Sequence, residues 1–251
     1  MSQPTVETSW QRLKRYTAAR IALGRCGESL PTRHYLDFQL AHALARDAVH
    51  AALDVAALEA ELNALGLEAV TVQSAARDRG QYLLRPDLGR RLEDASRTRL
   101  AAVAQAERRL AVVIAGGLSA AAVQRHAVAV LRLALPRLGG YTVGPVAIAE
   151  LGRVALGDDI AQAMDAEAVV VLIGERPGLT APDSLGIYFT YRPRVGSTDA
   201  ERNCISNIRP EGLPYEAAAG ELLWLLSAAR DAGLSGVGLK ALGSPALPGE
   251  R

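Results

Sequence analysis

Apolar residues recur at two different periods along this chain, and the change between them divides it. Toward the N-terminus they return every three or four positions. Leu13, Tyr16 and Ile21 precede a break at Gly24-Arg25-Cys26-Gly27, and Pro31-Thr32 opens a helix carrying Leu36, Leu40, Ala43, Leu44 and Ala48. Residues 53–65 read as another short helix, stopped by Gly66. The pattern predicts a helical N-terminal unit over residues 1–66, with residues 1–9 disordered.

After Gly66 short apolar runs alternate with amphipathic ones. Residues 67–73 and 81–84 are expected as strands on either side of a polar turn at 76–80. Asp87 is placed to cap a helix reaching about Arg108, and 110–115 reads as a buried strand ending at Gly116-Gly117. Ser119 caps the next helix, 120–135, which Pro136 terminates. Strand 143–151, helix 158–164, strands 168–173 and 185–191 and an amphipathic helix 216–230 follow, with Gly233 as the last helix's cap. Residues 243–251 are expected to be a loose tail. Strands alternating with helices imply an α/β fold over 67–251: a Rossmann-like, mainly parallel, doubly wound sheet flanked by helices.

Composition narrows the class without naming a function. The chain has 251 residues, 49% hydrophobic and 22% charged, with a net charge of +1. That balance sets up no global field for nucleic acid or an anionic membrane. Cys26 and Cys204 are the only cysteines, which argues against a disulfide framework and for a reducing compartment. No run of eighteen apolar residues exists and residues 1–10 are polar, so neither a membrane span nor a signal peptide is expected.

The densest chemistry lies between Gly174 and Asn207, where Glu175, Arg176, Arg192, Arg194, Asp199, Glu201, Arg202 and Cys204 fall among turn residues. Such a stretch suits a polar wall at the end of a buried strand, where α/β proteins bind ligands. Glu175 follows strand 168–173 directly, as a carboxylate able to accept hydrogen bonds from ligand amides. Cys204 has no histidine near it in sequence to act as a base, so packing against a ligand is the better reading than nucleophilic attack. Gly116-Gly117-Leu118-Ser119 sits where a helix N-terminus can hold an anion, but it matches neither phosphate-binding glycine pattern and reads as a tight turn. A free-standing nucleotide-binding enzyme built on that turn is the alternative reading. Gly236-Val237-Gly238 is weaker still. His34, His42 and His50 lack the spacing of a zinc site and read as partly exposed helix residues; His126 reads as structural.

Taken together, several segments resemble the light (small) subunit of ethanolamine ammonia-lyase. They are T-A-A-R-I-A-L-G-R-C-G at 17–27, the segment beginning P-T-R-H-Y-L-D-F-Q-L at 31–49, R-P-D-L-G-R-R-L at 85–92, L-G-R-V at 151–154, G-E-R-P-G at 174–178, Ser184-Leu185 and C-I-S-N at 204–207. Each is modest alone; their order and spacing make the match specific.

The resemblance implies a subunit of an adenosylcobalamin-dependent lyase, in a higher-order hetero-oligomer with a larger barrel subunit. That pair converts ethanolamine to acetaldehyde and ammonia by radical chemistry. Substrate and catalytic groups belong to the large subunit, and the corrin lies between the subunits. Carried over, the corrin contacts of this chain are Val154, Glu175 and Cys204, with no catalytic or metal-ligating residue of its own. Asp-x-His-x-x-Gly, which supplies a lower cobalt ligand in many cobalamin proteins, is absent, so a base-on corrin is expected. Longer family members carry an N-terminal tail resembling a targeting peptide for bacterial microcompartments. Here the matching helices begin near Trp10, and the cytoplasm is the expected location.

Overall fold

A computed structural model describes residues 9–17, 19–103 and 109–242. The disorder expected for residues 1–9 and the loose tail expected at 243–251 lie, Ser9 apart, outside the described residues. The N-terminal region is helical in α1 (Ser9–Arg12), α2 (Thr32–His50) and α3 (Val55–Ala64). Asp54 starts α3 by accepting from the Ala57 amide at 3.0 Å. The break at Gly24–Gly27 is a turn closed by an antiparallel bridge between Cys26 and Ser29.

The rest is an α/β sheet. In chain order it comprises β1 (Ala69–Val72), α4 (Arg79–Leu84), α5 (Asp94–Ala102), β2 (Arg109–Ala115), α6 (Ala120–Ala134), β3 (Thr142–Val143), β4 (Val146–Ala149), α7 (Leu156–Ala163), β5 (Ala168–Gly174), β6 (Leu185–Tyr191), β7 (Asn203–Ile208), α8 (Tyr215–Ala232) and α9 (Val237–Ala241). The strand order is β1-β4-β2-β5-β6-β7, with β3 paired to the start of β2. The β1, β4, β2 and β5 neighbours are parallel, while β6 and β7 close one edge antiparallel.

Side-chain alternation explains why the central strands read as unbroken apolar runs. Leu110, Val112 and Ile114 of β2 and Val170 and Leu172 of β5 face a back layer that includes α3, α6 and α8. Ala111, Val113, Ala115, Val169, Val171 and Ile173 face a front layer of α5 and α7. Both faces are covered, so positions 110–115 and 168–173 are all apolar; each large aliphatic side chain buried this way contributes about 1.5–3 kcal/mol. Leu58 and Leu62 of α3 are fully buried in the back core, which joins the helical segment to the sheet.

Four expectations need correction. Residues 81–84 belong to helix α4, not to a strand. Asp78 accepts from the Gln81 amide at 2.8 Å while Gln81 Oε1 accepts from the Arg77 amide at 2.8 Å, two bonds at the helix start that outweigh the apolar run. Asp87 caps no long helix. Its carboxylate is held by Arg85 at 2.8 and 3.0 Å, a single 3-10 turn spans Leu88–Arg90, and α5 begins only at Asp94. Leu92 lies in an extended segment that bridges to Ser74, and this pairing delays the helix; residues 104–108 of the expected helix lie outside the described ones. The strand expected at 143–151 is two strands, β3 and β4, separated by Gly144-Pro145, since proline has no amide to give the ladder. Finally β7 lies within what reads as polar loop, and α9 follows Gly236.

Candidate functional site

Three loops or strands carry the candidate residues, and each is fixed by identifiable contacts. The chain leaves β4 through Glu150-Leu151-Gly152 and enters α7 just after Val154. The Arg153 amide donates to the Gly89 carbonyl at 2.8 Å, and its guanidinium donates to the Tyr82 carbonyl at 2.9 Å while lying 4.6 Å from the Tyr82 ring centroid. The Tyr82 hydroxyl donates to the Gly152 carbonyl at 3.2 Å. Position 89 admits only glycine without displacement, because a Cβ there would sit 3.0 Å from the Tyr82 ring and 3.1 Å from Arg153 Cγ. Val154, held by this clamp, packs against the front core.

Glu175 leaves β5 at its carboxyl end, two residues beyond Ile173 and therefore on the same front side. Its Oε2 accepts a short hydrogen bond from the Ser184 hydroxyl and a second, at 3.4 Å, from the Asn207 amide. No hydrogen bond to Oε1 is found among the described residues. Asn207 takes the left-handed conformation, φ 59°, beside the register shift between β6 and β7. Asparagine tolerates that region, and the turn aims the Asn207 amide at the carboxylate.

Strand register brings Cys204 into the same neighbourhood. Val171 pairs with Tyr188, and Tyr188 with Cys204, so the three share one row across β5, β6 and β7. Tyr188 and Cys204 therefore stand side by side on neighbouring strands. Burial pushes both groups up: the thiol lies above the usual cysteine range, and the phenol, also next to Cys204, is driven well above the tyrosine range. Cys204 as a residue is still exposed on the strand at the sheet's edge, so its sulfur is crowded from within and open from without. The front helices pack on β1, β2 and β5. Beside them Tyr188 is half-buried, while Cys204 and Ser206 are exposed, which leaves a shallow platform at the edge of the sheet.

Arg202, read from the sequence as part of a polar wall, is instead buried. It binds Asp158 in the first turn of α7 through two bonds of 2.7 and 2.6 Å, and donates to Thr190 Oγ1 and the Ser197 carbonyl. Asp159 next to it accepts from the Leu92 amide at 2.8 Å and from Arg97 at 2.7 Å. Consecutive aspartates thus tie the helix behind Val154 to β7 on one side and to α5 on the other.

The remaining sequence candidates are structural. At Gly116–Ser119 the amides of Gly116 and Leu118 already donate to the carbonyls of Ala149 and Gly174. Arg79 caps the Gly117 carbonyl at 2.7 Å, and a Cβ on Gly117, φ 59°, would meet the Gly174 carbonyl at 2.4 Å. This is a packing turn between β2 and β5. His126 is buried and bonded to the Tyr215 hydroxyl at 2.8 Å, while His42 and His50 are exposed. Among the described residues no three His, Cys, Asp or Glu gather as metal ligands, and no described helix is long and apolar enough to cross a membrane. A cavity of about 750 Å³ opens beside the ends of β1 and β4. Glu150 and Leu151 line it; Val154, Glu175 and Cys204 do not.

Comparison with known proteins decides the family. Residues 7–240 match the family described as ethanolamine ammonia-lyase light chain (EutC). The chain belongs to this family. It is 55% identical to the ethanolamine ammonia-lyase small subunit of Azotobacter vinelandii, over 94% of this chain and 90% of that one. It is 56% identical to the small subunit of Xanthomonas campestris pv. campestris, over 96% and 91%, and 54% identical to that of Pseudomonas fluorescens, over 96% and 90%.

Light-chain membership accounts for the motifs read from the sequence but not for their supporting cast. Ser184 and Asn207 stood inside matching segments without a role, and Tyr188 was unnoticed in its strand. The signal for Tyr188 was available: in an antiparallel pair it faces the row of Val171, one strand from Cys204. For the pair of Asp158 and Arg202 there was no local signal, since 44 residues separate its partners.

Proposed function

We propose that this chain is the small subunit of an adenosylcobalamin-dependent ethanolamine ammonia-lyase, holding the corrin at its interface with a large catalytic subunit for conversion of ethanolamine to acetaldehyde and ammonia. The observation that carries the cofactor reading is the half-satisfied carboxylate of Glu175: Ser184 and Asn207 hold one oxygen, and the other has no hydrogen-bond partner among the described residues, beside an open platform. A corrin presents amide N–H donors around a broad apolar edge. Glu175 Oε1 suits such an amide, and the half-buried faces of Val154 and Tyr188 suit the edge.

Bound cobalamin would supply the radical chemistry, with the cobalt carried by a base-on corrin. This chain's own groups bind and orient. Glu175 accepts from the side amide, Val154 and Cys204 pack against the ring, and the Asp158 pair holds their two segments at a fixed spacing. The Cys204 thiol, raised by burial, is protonated at neutral pH and takes no part in the reaction. Ethanolamine and the catalytic groups belong to the large subunit, so the chain alone is inactive.

The test is co-purification with the large subunit of the same bacterium, followed by a visible spectrum of the complex after addition of adenosylcobalamin. The expected result is a stable complex that retains corrin and releases acetaldehyde from ethanolamine, with neither property in the isolated chain. Turnover of ethanolamine by the pure chain, or a complex that takes up no corrin, would refute the proposal.

A further inference from the structure

Glu175 faces the front of the sheet, yet the segment that holds it is anchored on the back. The pairing of β5 with β6 runs one residue beyond the strands, because the Glu175 amide donates to the Ser184 carbonyl at 3.0 Å. The two residues stand directly opposite one another and their side chains share a face. From there the buried Ser184 hydroxyl donates to Glu175 Oε2. Asp183, in the turn just before, reaches α6 instead, where Arg125 donates to its Oδ2 at 2.7 Å. One residue earlier the Pro182 carbonyl accepts from the hydroxyl of Ser119, the cap of the same helix, at 2.9 Å. Three successive residues thereby link a helix on one face of the sheet to a carboxylate on the other.

We infer that Arg125 and Asp183 are positioning residues for Glu175: their ion pair fixes the turn that carries Ser184, and Ser184 leaves Oε1 as the oxygen presented to a ligand amide. A single bond at Pro182 would let the turn pivot about Ser119; the bond at Asp183 stops it. The other neighbours do not set this orientation. The Asn207 amide reaches the same Oε2 only at 3.4 Å. Gly186 gives room rather than a bond, since a Cβ there would stand 3.0 Å from Oε1. His126 Nε2 lies 3.8 Å from Asp183 Oδ2, beyond hydrogen-bond reach, so Arg125 is what holds that oxygen. The Arg125 and Asp183 side chains are 63% and 21% exposed, and a pair so wetted adds little to global stability. Its effect is local, on where the next residue points.

The consequence for cofactor rests on reading Glu175 as a corrin contact, and the experiment keeps the two apart. The full chain is isotope-labelled at the glutamate carboxyl carbons, and the Glu175 resonance is identified by its loss in Glu175→Ala. Arg125→Ala and Asp183→Ala should each move that resonance in the direction in which Ser184→Ala moves it. Arg125→Lys, which keeps an N–H donor for Oδ2, should leave it near its wild-type place. In the complex with the large subunit, both alanine variants should raise the Kd for adenosylcobalamin about two- to fivefold. Neither should raise it further in a Glu175→Ala background, because the effect travels through that carboxylate. Melting should stay within about 4 °C of wild type; if Asp183→Ala falls further, the more exposed Arg125→Ala is read alone. An unmoved resonance overturns the assignment, as does a loss of affinity that persists undiminished without Glu175. So does an Arg125→Ala variant with wild-type affinity where Glu175→Ala has lost it. A moved resonance with cobalamin affinity unaltered even in Glu175→Ala upholds the positioning role and removes the corrin reading instead.

Discussion

Asp158 and Arg202 lie 44 residues apart and meet in a two-pronged ion pair, 2.7 and 2.6 Å, with both side chains almost wholly shielded from water. The pair joins the helix that follows Val154 to the strand that carries Cys204. Two of the three candidate cofactor residues therefore depend on one buried contact for their relative position.

Breaking that contact from one side should be costly. Asp158→Ala leaves a guanidinium in the interior with Thr190, the Ser197 carbonyl and, at 3.7 Å, the exposed Asp199 carboxylate, but no buried counter-charge. The expected loss is about 3–5 kcal/mol, read from the denaturant midpoint. Asp158→Ala combined with Arg202→Met should regain much of it, because no unpaired charge remains. A loss below about 1 kcal/mol for the single change would mean that the pair does not organise this region.

The thiol of Cys204 should be slow to react. Burial raises it, so at any given pH less of it is thiolate than in an ordinary cysteine. In a Cys26→Ser background the pH profile of alkylation should have its midpoint above the usual value of about 8.5. Tyr188→Phe should move the midpoint higher still, since the neighbouring Tyr188 hydroxyl lowers the thiol against the effect of burial. A midpoint below the ordinary cysteine value would mark an activated nucleophile.

His126 makes stability acid-sensitive. Burial lowers it below its ordinary value of 6.5, outweighing the nearby Asp183 carboxylate at 3.8 Å. As pH falls through 6.5 the unfolded chain takes up the proton first, so stability drops down to the folded-state value and stays lower beneath it. Melting temperature should fall as pH drops below the ordinary histidine value of 6.5, and His126→Gln should shrink that fall. An unchanged fall in the variant would assign the acid response to other groups.

What could be read in advance follows from range. Two-sided burial wrote β2 and β5 into the sequence as continuous apolar runs, and Ser119 announced α6 by accepting from the Ala122 amide. The Asp78 and Gln81 cap was also local, yet the apolar Tyr82-Leu83-Leu84 drew the reading toward a strand. The delayed start of α5 depends on pairing between Leu92 and Ser74, and the burial of Arg202 on a helix far upstream; no periodicity encodes either. Glu175 and Cys204 were legible as candidates through family resemblance and position. The hydroxyl and amide that orient Glu175 needed the β6–β7 register.

The central claim is that Glu175 holds the corrin through one free oxygen. The measurement that tests it most directly is a spectral titration of cobalamin into the complex with the large subunit, wild type against Glu175→Ala. A hydrogen bond to a charged group contributes about 1.5–3 kcal/mol, so the change should raise Kd about ten- to a hundredfold at 1.4 kcal/mol per decade, with Cys204→Ser costing less. An unaltered Kd in Glu175→Ala, with the complex intact, would contradict the account and move the cofactor contact elsewhere on the chain.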